Sequence, residues 1–212
     1  MAFFWQYYVV VLLLLGAPLD IQVNRQVGLP VWYDPGELAD AHDALEDMQL
    51  AAEEDGVRLS IFSGYRSYHD QRQVFAREDA HYGPLADNYS ARPGFSEHQL
   101  GTAYDVVWTG MNLNPFDDRN RLLFEWLEQN AHIYGFVVSY PLKSRPTWPY
   151  SNRFEPYITD FIYEPWHIRY VGQDLALRMY EAGYLDPDSE IVPQDFYALW
   201  DWSVSEYLES EP

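Results

Sequence analysis

Two short blocks, Ser96-Glu97-His98-Gln99-Leu100-Gly101-Thr102-Ala103-Tyr104-Asp105 and Glu164-Pro165-Trp166-His167, hold the residues of this chain whose types and spacing can do chemistry. Together they offer three zinc-type ligands, two imidazoles and a carboxylate, plus one carboxylate that the metal does not need. That is the inventory of a zinc hydrolase. Three protein ligands hold Zn²⁺, a fourth position stays open for water, and the pKa of that water falls from about 15.7 to about 7. The spacings also constrain the backbone. His98 and Asp105 are seven residues apart, which suits neither one helix face nor one straight strand. A loop ligand followed by a strand ligand, with Gly101 allowing a turn between them, fits better. Glu164 and His167 are three apart and on an ideal strand point to opposite faces, while Pro165 disfavours a helical conformation at Glu164. A kink at Pro165-Trp166 could bring both towards one metal.

The elements that must position these blocks are legible in part. Asp34-Pro35-Gly36-Glu37 reads as a helix start, with Asp34 as cap, Pro35 in the first turn and Glu37 closing a capping box. Leu38, Ala41, Leu45, Met48 and Ala52 continue it as an apolar stripe that ends at Gly56. Val57, Leu59 and Ile61 alternate with polar residues as a strand running into Gly64, so Arg66 follows a strand end. Ser67 and Asp70 form a second capping box, predicting a helix over 68–80 with Val74 and Phe75 inward. Residues 82–95, with their glycines and prolines, read as a loop into the first block. Ala103 to Trp108 reads as a strand carrying Asp105, and Leu123, Trp126, Leu127, Ala131 and Tyr134 mark an amphipathic helix stopped by Gly135. Strands are expected over 136–140 and 158–163, the latter delivering Glu164, and a helix over 173–182 ending at Gly183. The proline- and aromatic-rich stretch between Tyr140 and Tyr157 is expected to overhang the site.

Composition bounds the rest. With 212 residues, 48% apolar and 17% aromatic, the chain can bury one sizeable core, and no repeat or second domain is visible. Cysteine is absent, which excludes a disulfide framework and a thiolate metal site. A formal charge of -20, with Lys143 the only lysine, argues against binding nucleic acid or anionic lipid through a basic surface. Residues 1–19 are an apolar segment with nine consecutive apolar residues from Tyr7 to Leu15. That run suits an export signal or anchor, although no Lys or Arg precedes Arg25 and it is short for a span; a buried terminal element is the alternative. Residues 186–212 form an acidic, aromatic extension whose Trp200, Trp202 and Tyr207 are expected to fold back onto the domain at 20–185.

The two blocks, with Ser63-Gly64-Tyr65-Arg66-Ser67, Val23-Asn24-Arg25, Leu29-Pro30, residues 130–136 and Trp166-His167-Ile168-Arg169-Tyr170-Val171-Gly172, resemble the VanY-type zinc D-alanyl-D-alanine carboxypeptidases. That group includes D-Ala-D-Ala dipeptidases and L,D-carboxypeptidases. The resemblance covers roughly residues 20 to 180 of a domain of ordinary size. It implies His98, Asp105 and His167 as ligands of a single catalytic Zn²⁺, and Glu164 as the general base. It implies Arg66 at a charged end of the substrate or at the developing oxyanion, with Ser96 and Gln71 near the substrate. A guanidinium presents a planar fork suited to carboxylates. Taken singly, each of these residues reads as surface or as a satisfied polar group, and His42, His69, His81 and His132 are given no role.

The expectation is therefore one α+β domain with a small, mainly antiparallel sheet flanked by helices, acting as a monomer on peptidoglycan stem peptides or precursors in the bacterial cell envelope. Ser139 stands where an arginine is common in the family, and the segment over 142–156 is long for it. Both bear on which bond is cut. An L,D-carboxypeptidase, an endopeptidase and a non-catalytic zinc-containing wall-binding module are the alternatives.

Overall fold

In the computed structural model, which describes residues 19–143 and 161–197, four strands form one antiparallel sheet in the order β1-β2-β4-β3. β1 is Leu59–Ser63, β2 Ala103–Trp108, β3 Phe136–Tyr140 and β4 Glu164–Tyr170. The α-helices among the described residues are α1 (Ala39–Glu54), α2 (Tyr68–Tyr82), α3 (Asp118–Asn130) and α4 (Gln173–Glu181). The expected α+β architecture is present.

The period of two along each strand sorts side chains between the faces of the sheet. Tyr104, Val106, Phe136, Val138 and Ile168 go to one face and join the main core with Ala41, Leu45, Met48 and Ala52 of α1 and Leu123, Phe124, Trp126 and Leu127 of α3. Each buried Val, Leu, Ile, Phe or Met among them contributes about 1.5–3 kcal/mol. Asp105, flanked by Tyr104 and Val106, is left for the other face, and there the site is built. Val137 packs with Val171, Leu175, Met179, Tyr184 and Tyr197, so the extension beyond residue 185 is seated on the domain as far as Tyr197. Trp200, Trp202, Tyr207, the apolar run at 7–15 and, of the overhang expected between Tyr140 and Tyr157, residues 144–157 lie outside the described residues.

Several expectations are corrected. α1 begins at Ala39 instead of following Asp34, because Gly36 takes the left-handed conformation (φ 74°) and Leu38 N–H donates to Gly101 O at 2.9 Å. Asp34 accepts a hydrogen bond from the Tyr65 hydroxyl and caps nothing. A tertiary contact has taken the place of the local capping box. Ile61 is 42% exposed, since β1 is an edge strand and the core reaches Leu59 only. Residues 83–88 form a 3₁₀ helix within the expected loop. α2 starts at the predicted Ser67 capping box and runs to Tyr82, but Gln71 is its buried residue, with Val74 and Phe75 half-buried. The last strand starts at Glu164, so Glu164 and Pro165 belong to it; of the strand expected over 158–163, residues 161–163 are not strand and 158–160 lie outside the described residues.

Candidate metal centre and active site

Strand register assembles the centre. Ser63 pairs with Asp105 across β1 and β2, and Asp105 pairs with His167 across β2 and β4, so the three residues form one row over the sheet. His98 reaches the same place from a 3₁₀ turn over Glu97–Leu100 that Gly101 ends in the left-handed conformation (φ 77°). A Cβ at position 101 would run into the carbonyl oxygen of Gly36, so only glycine allows this turn to close beside α1. The loop-then-strand arrangement inferred from the seven-residue spacing is what forms.

The three-residue spacing of Glu164 and His167 is resolved by a bulge. β4 places three residues between the partners of Tyr140 and Val138, where β3 places one, so Pro165, Trp166 and His167 crowd opposite Ser139. The alternation is broken there, and Glu164 and His167 both line the same cleft. That cleft has a volume of about 350 Å³ and is also lined by Arg66, Ser96, His98, Asp105, Tyr140 and Trp166.

His98 Nε2 lies 3.3 Å from Asp105 Oδ2, and His167 Nδ1 lies 3.0 Å from Asp105 Oδ1. One ligand atom from each of the three residues falls within 4.8 Å of the others. Zinc bonds of about 2.0–2.1 Å arranged tetrahedrally set neighbouring ligand atoms about 3.3 Å apart, so this spacing fits that ion. His98 Nδ1 donates to the Gly64 carbonyl at 2.7 Å, which fixes the tautomer and turns Nε2 toward Asp105. Nε2 itself is buried with no hydrogen bond, an orphaned polar atom of the kind a metal satisfies. Two nitrogens and one carboxylate oxygen form a donor set suited to zinc.

Arg66 Nη1 donates to Ser63 Oγ at 2.8 Å and to Asp105 Oδ2 at 3.4 Å, which places the guanidinium beside the ligand row. Its Nε donates to Gln71 Oε1 at 2.8 Å. Gln71, expected to face the substrate, is fully buried; its Nε2 donates to Ala91 O at 2.7 Å and Ser90 Oγ at 3.2 Å. Its amide is engaged within the protein and aims Arg66. Ser96 lines the cleft and its Oγ accepts from the His98 N–H at 3.4 Å. Tyr104 faces the core, and Trp166 packs against that core from the cleft wall. His132 stacks on Tyr180 at 3.7 Å, away from the ligand row.

Glu97 was missed. It is 1% exposed and accepts from His167 Nε2 at 3.1 Å and from Arg169 Nη1 at 2.8 Å. Its place next to His98 in the motif is a signal only in retrospect, because its partners come from the other end of the domain.

The electrostatics follow from burial and pairing. Burial pushes the Glu164 carboxyl up to about 8, with His167 opposing and the Asp105 charge adding to the rise. Burial would lower His167, but its hydrogen bonds to Asp105 and Glu97 carry it up to about 10. Burial would raise Glu97, yet Arg169 and His167 hold it down to about 2, and Asp105 is likewise held well below the usual carboxylate range by its two imidazoles against burial. Burial lowers His98.

A pH dependence follows. In metal-free protein His167 keeps its proton to about pH 10, whereas the unfolded chain loses it near pH 6.5, so this stabilisation is complete below 6.5 and lost as pH rises. Glu164 acts in the same direction between about 4.5 and 8. Glu97 and Asp105 stabilise above about pH 4 and lose that contribution as the pH falls through their lowered values. Metal-free protein should therefore melt highest near pH 5 and progressively lower toward pH 8, read by thermal unfolding in chelator. Since Nδ1 of His167 must lose a proton to ligate, zinc affinity should rise about tenfold per pH unit between pH 6 and 8. A zinc affinity flat across that range would contradict this.

Comparison with known proteins agrees with the geometry. The family model described as VanY, D-alanyl-D-alanine carboxypeptidase, matches residues 38–173. A D-alanyl-D-alanine carboxypeptidase of Enterococcus faecalis is 32% identical over 182 residues, covering 77% of this chain and 62% of that protein. The chain spans about three-fifths of the length of the curated relatives it matches first. Among solved structures, the L,D-carboxypeptidase DacB of Streptococcus pneumoniae superposes with a TM-score of 0.67 at 32% identity, covering 84% of this chain and 85% of that one. A variant of the vancomycin-resistance D,D-pentapeptidase VanY from a VanB-type cassette, solved with Zn(II), gives a TM-score of 0.64 at 28% identity over 83% of this chain and 97% of that one. With a family match that runs from the start of α1 to the start of α4 and includes every strand among the described residues, the chain belongs to the VanY D-alanyl-D-alanine carboxypeptidase family.

Proposed function

We propose that this chain is a zinc-dependent carboxypeptidase that removes the terminal D-alanine from peptidoglycan stem peptides ending in D-Ala-D-Ala, working outside the cytoplasmic membrane where that substrate lies. The observation that carries the reading is the convergence of His98 Nε2, Asp105 and His167 Nδ1 within 4.8 Å at the floor of a cleft that also holds Glu164 and Arg66.

His98, Asp105 and His167 would hold the zinc, which supplies Lewis acidity to a water and to the scissile carbonyl at neutral pH. The remaining work falls to side chains of this chain. Glu164, not needed as a ligand and buried in the cleft wall, takes the proton of the attacking water and returns it to the departing amine. Its raised affinity for a proton suits that exchange, because a base whose pKa lies near working pH both accepts and releases readily. Arg66 presents its guanidinium to the substrate carboxylate or to the oxygen that gains charge, and Ser63 and Gln71 hold it in place.

The second reading, an L,D-carboxypeptidase, is favoured by the DacB likeness, at 32% identity against 28% for the VanY variant. One assay separates the two. Zinc-loaded protein is given a pentapeptide ending in D-Ala-D-Ala and, separately, a tetrapeptide with a single terminal D-alanine, and products are read by mass spectrometry. Release of D-alanine from the pentapeptide is the expected result. Release only from the tetrapeptide would transfer the proposal to the L,D bond, and no release from either would leave a wall-binding module.

A further inference from the structure

Glu97 takes no part in that proton traffic, yet it is a carboxylate sealed in the interior against a fully buried guanidinium. Desolvating two opposite charges is costly, and well-packed apolar residues would serve stability as well. The pair therefore calls for a task that apolar side chains cannot perform. Its geometry supplies one. Glu97 Oε2 accepts from His167 Nε2 at 3.1 Å, on the far side of the ring from Nδ1. With the proton held on Nε2, the neutral imidazole must present its lone pair at Nδ1, which faces Asp105 at 3.0 Å. Glu97 Oε1 is in turn fixed by Arg169 Nη1 at 2.8 Å.

Arg169 is itself clamped from both ends of the described chain. Its Nη2 donates to the carbonyls of Leu19 and Ile21 at 3.0 and 2.6 Å, and its guanidinium carbon lies 4.2 Å from the centre of the Tyr197 ring. Leu19, Ile21 and Tyr197 all fall outside the 38–173 segment that matches the family model.

We propose that Glu97 is a positioning residue for the ligand His167, held in place through Arg169 by a clamp of Leu19, Ile21 and Tyr197, so that the metal centre depends on residues flanking the family-matched segment. The inference rests on the reading that zinc sits on His98, Asp105 and His167. An anionic acceptor behind a ligating imidazole orients the ring and strengthens it as a donor, and removing such a partner typically weakens metal binding about 10- to 100-fold.

The test uses zinc alone, titrated into metal-free full chain against a chelator of known affinity. Wild type, Glu97→Gln, the double variant Glu97→Gln with Arg169→Met, and Tyr197→Leu are compared. The double variant removes both buried charges, so it stays folded where an unpaired Arg169 unfolds the single variant. The expected result is zinc affinity about 10- to 100-fold lower in both Glu97 variants, a shifted Co²⁺ ligand-field spectrum in the same proteins, and a loss in the same direction for Tyr197→Leu. A folded Glu97 variant that melts lower but binds zinc as wild type does would assign Glu97 to stability alone and overturn the proposal. Unchanged zinc affinity in Tyr197→Leu would overturn the clamp. Wild type that binds no zinc would remove the metal reading and this inference together, whereas wild type and variants binding equally would remove only the latter.

Discussion

Glu164→Gln is expected to lower kcat by about 10² to 10⁴ while leaving zinc content unchanged. The two halves of that result come from different parts of the geometry. The ligand atoms belong to His98, Asp105 and His167, so the substitution leaves the metal's donors in place. What it removes is the only group proposed to carry the proton between water and leaving amine, and a carboxamide of the same shape cannot exchange one. Folding should not suffer. The carboxyl of Glu164 is buried and resists ionising, so an uncharged isostere is tolerated, and the metal-free variant should lose less stability than wild type between pH 5 and 8. Turnover of a D-alanine-terminated peptide, zinc content and a thermal melt of the same preparations decide the matter. Activity kept within a few-fold, or zinc lost with activity, would remove Glu164 from the role of base.

His98→Ala should abolish both zinc binding and turnover. His98 Nε2 is a buried atom whose other ring nitrogen is already committed to Gly64 O, which holds Nε2 toward Asp105 as one of the three converging ligand atoms. The variant leaves Asp105 and His167 to bind alone. Loss of a direct ligand should exceed the 10- to 100-fold that an outer partner is worth, by about another factor of ten or more. Because His98 is 1% exposed, a melting experiment must accompany the assay, and the informative quantity is the increment that zinc adds. A ligand at a thousand times its Kd stabilises the folded state by about 4 kcal/mol. Wild type should show that increment and His98→Ala should not, whatever the variant's baseline stability. A variant that still melts higher in zinc, to the same extent as wild type, would place the ion elsewhere.

Part of this arrangement can be read without a structure, and the reasons differ from residue to residue. Strand Ala103–Trp108, strand Phe136–Tyr140, the Ser67 capping box and the glycine stops at 135 and 183 follow from rules acting over a few residues, and they appear where expected. The four side chains proposed for the chemistry stand out through the joint pattern of the two blocks and its resemblance to the family, whereas taken singly none of them does. Asp34 shows the limit of local reasoning. Its capping box is sound as a pattern, but Gly36 and Leu38 make contacts with Gly101, more than sixty residues along the chain, and these shift the helix start. Gln71 is similar: a polar residue near a site reads as a substrate donor until its amide is found filled by Arg66, Ser90 and Ala91.

The sequence by itself determined the donor types and the backbone restriction at Pro165 between Glu164 and His167, because these are local properties, while the class of fold was legible from the element pattern together with the family resemblance. Tertiary structure alone decided that Ser63, Asp105 and His167 share one row, that a bulge opposite Ser139 supplies the bend, and that Glu97 stands behind His167 with Arg169 behind it. Register and burial depend on how distant segments pair, and a charge meets its partner only after the chain between them has folded.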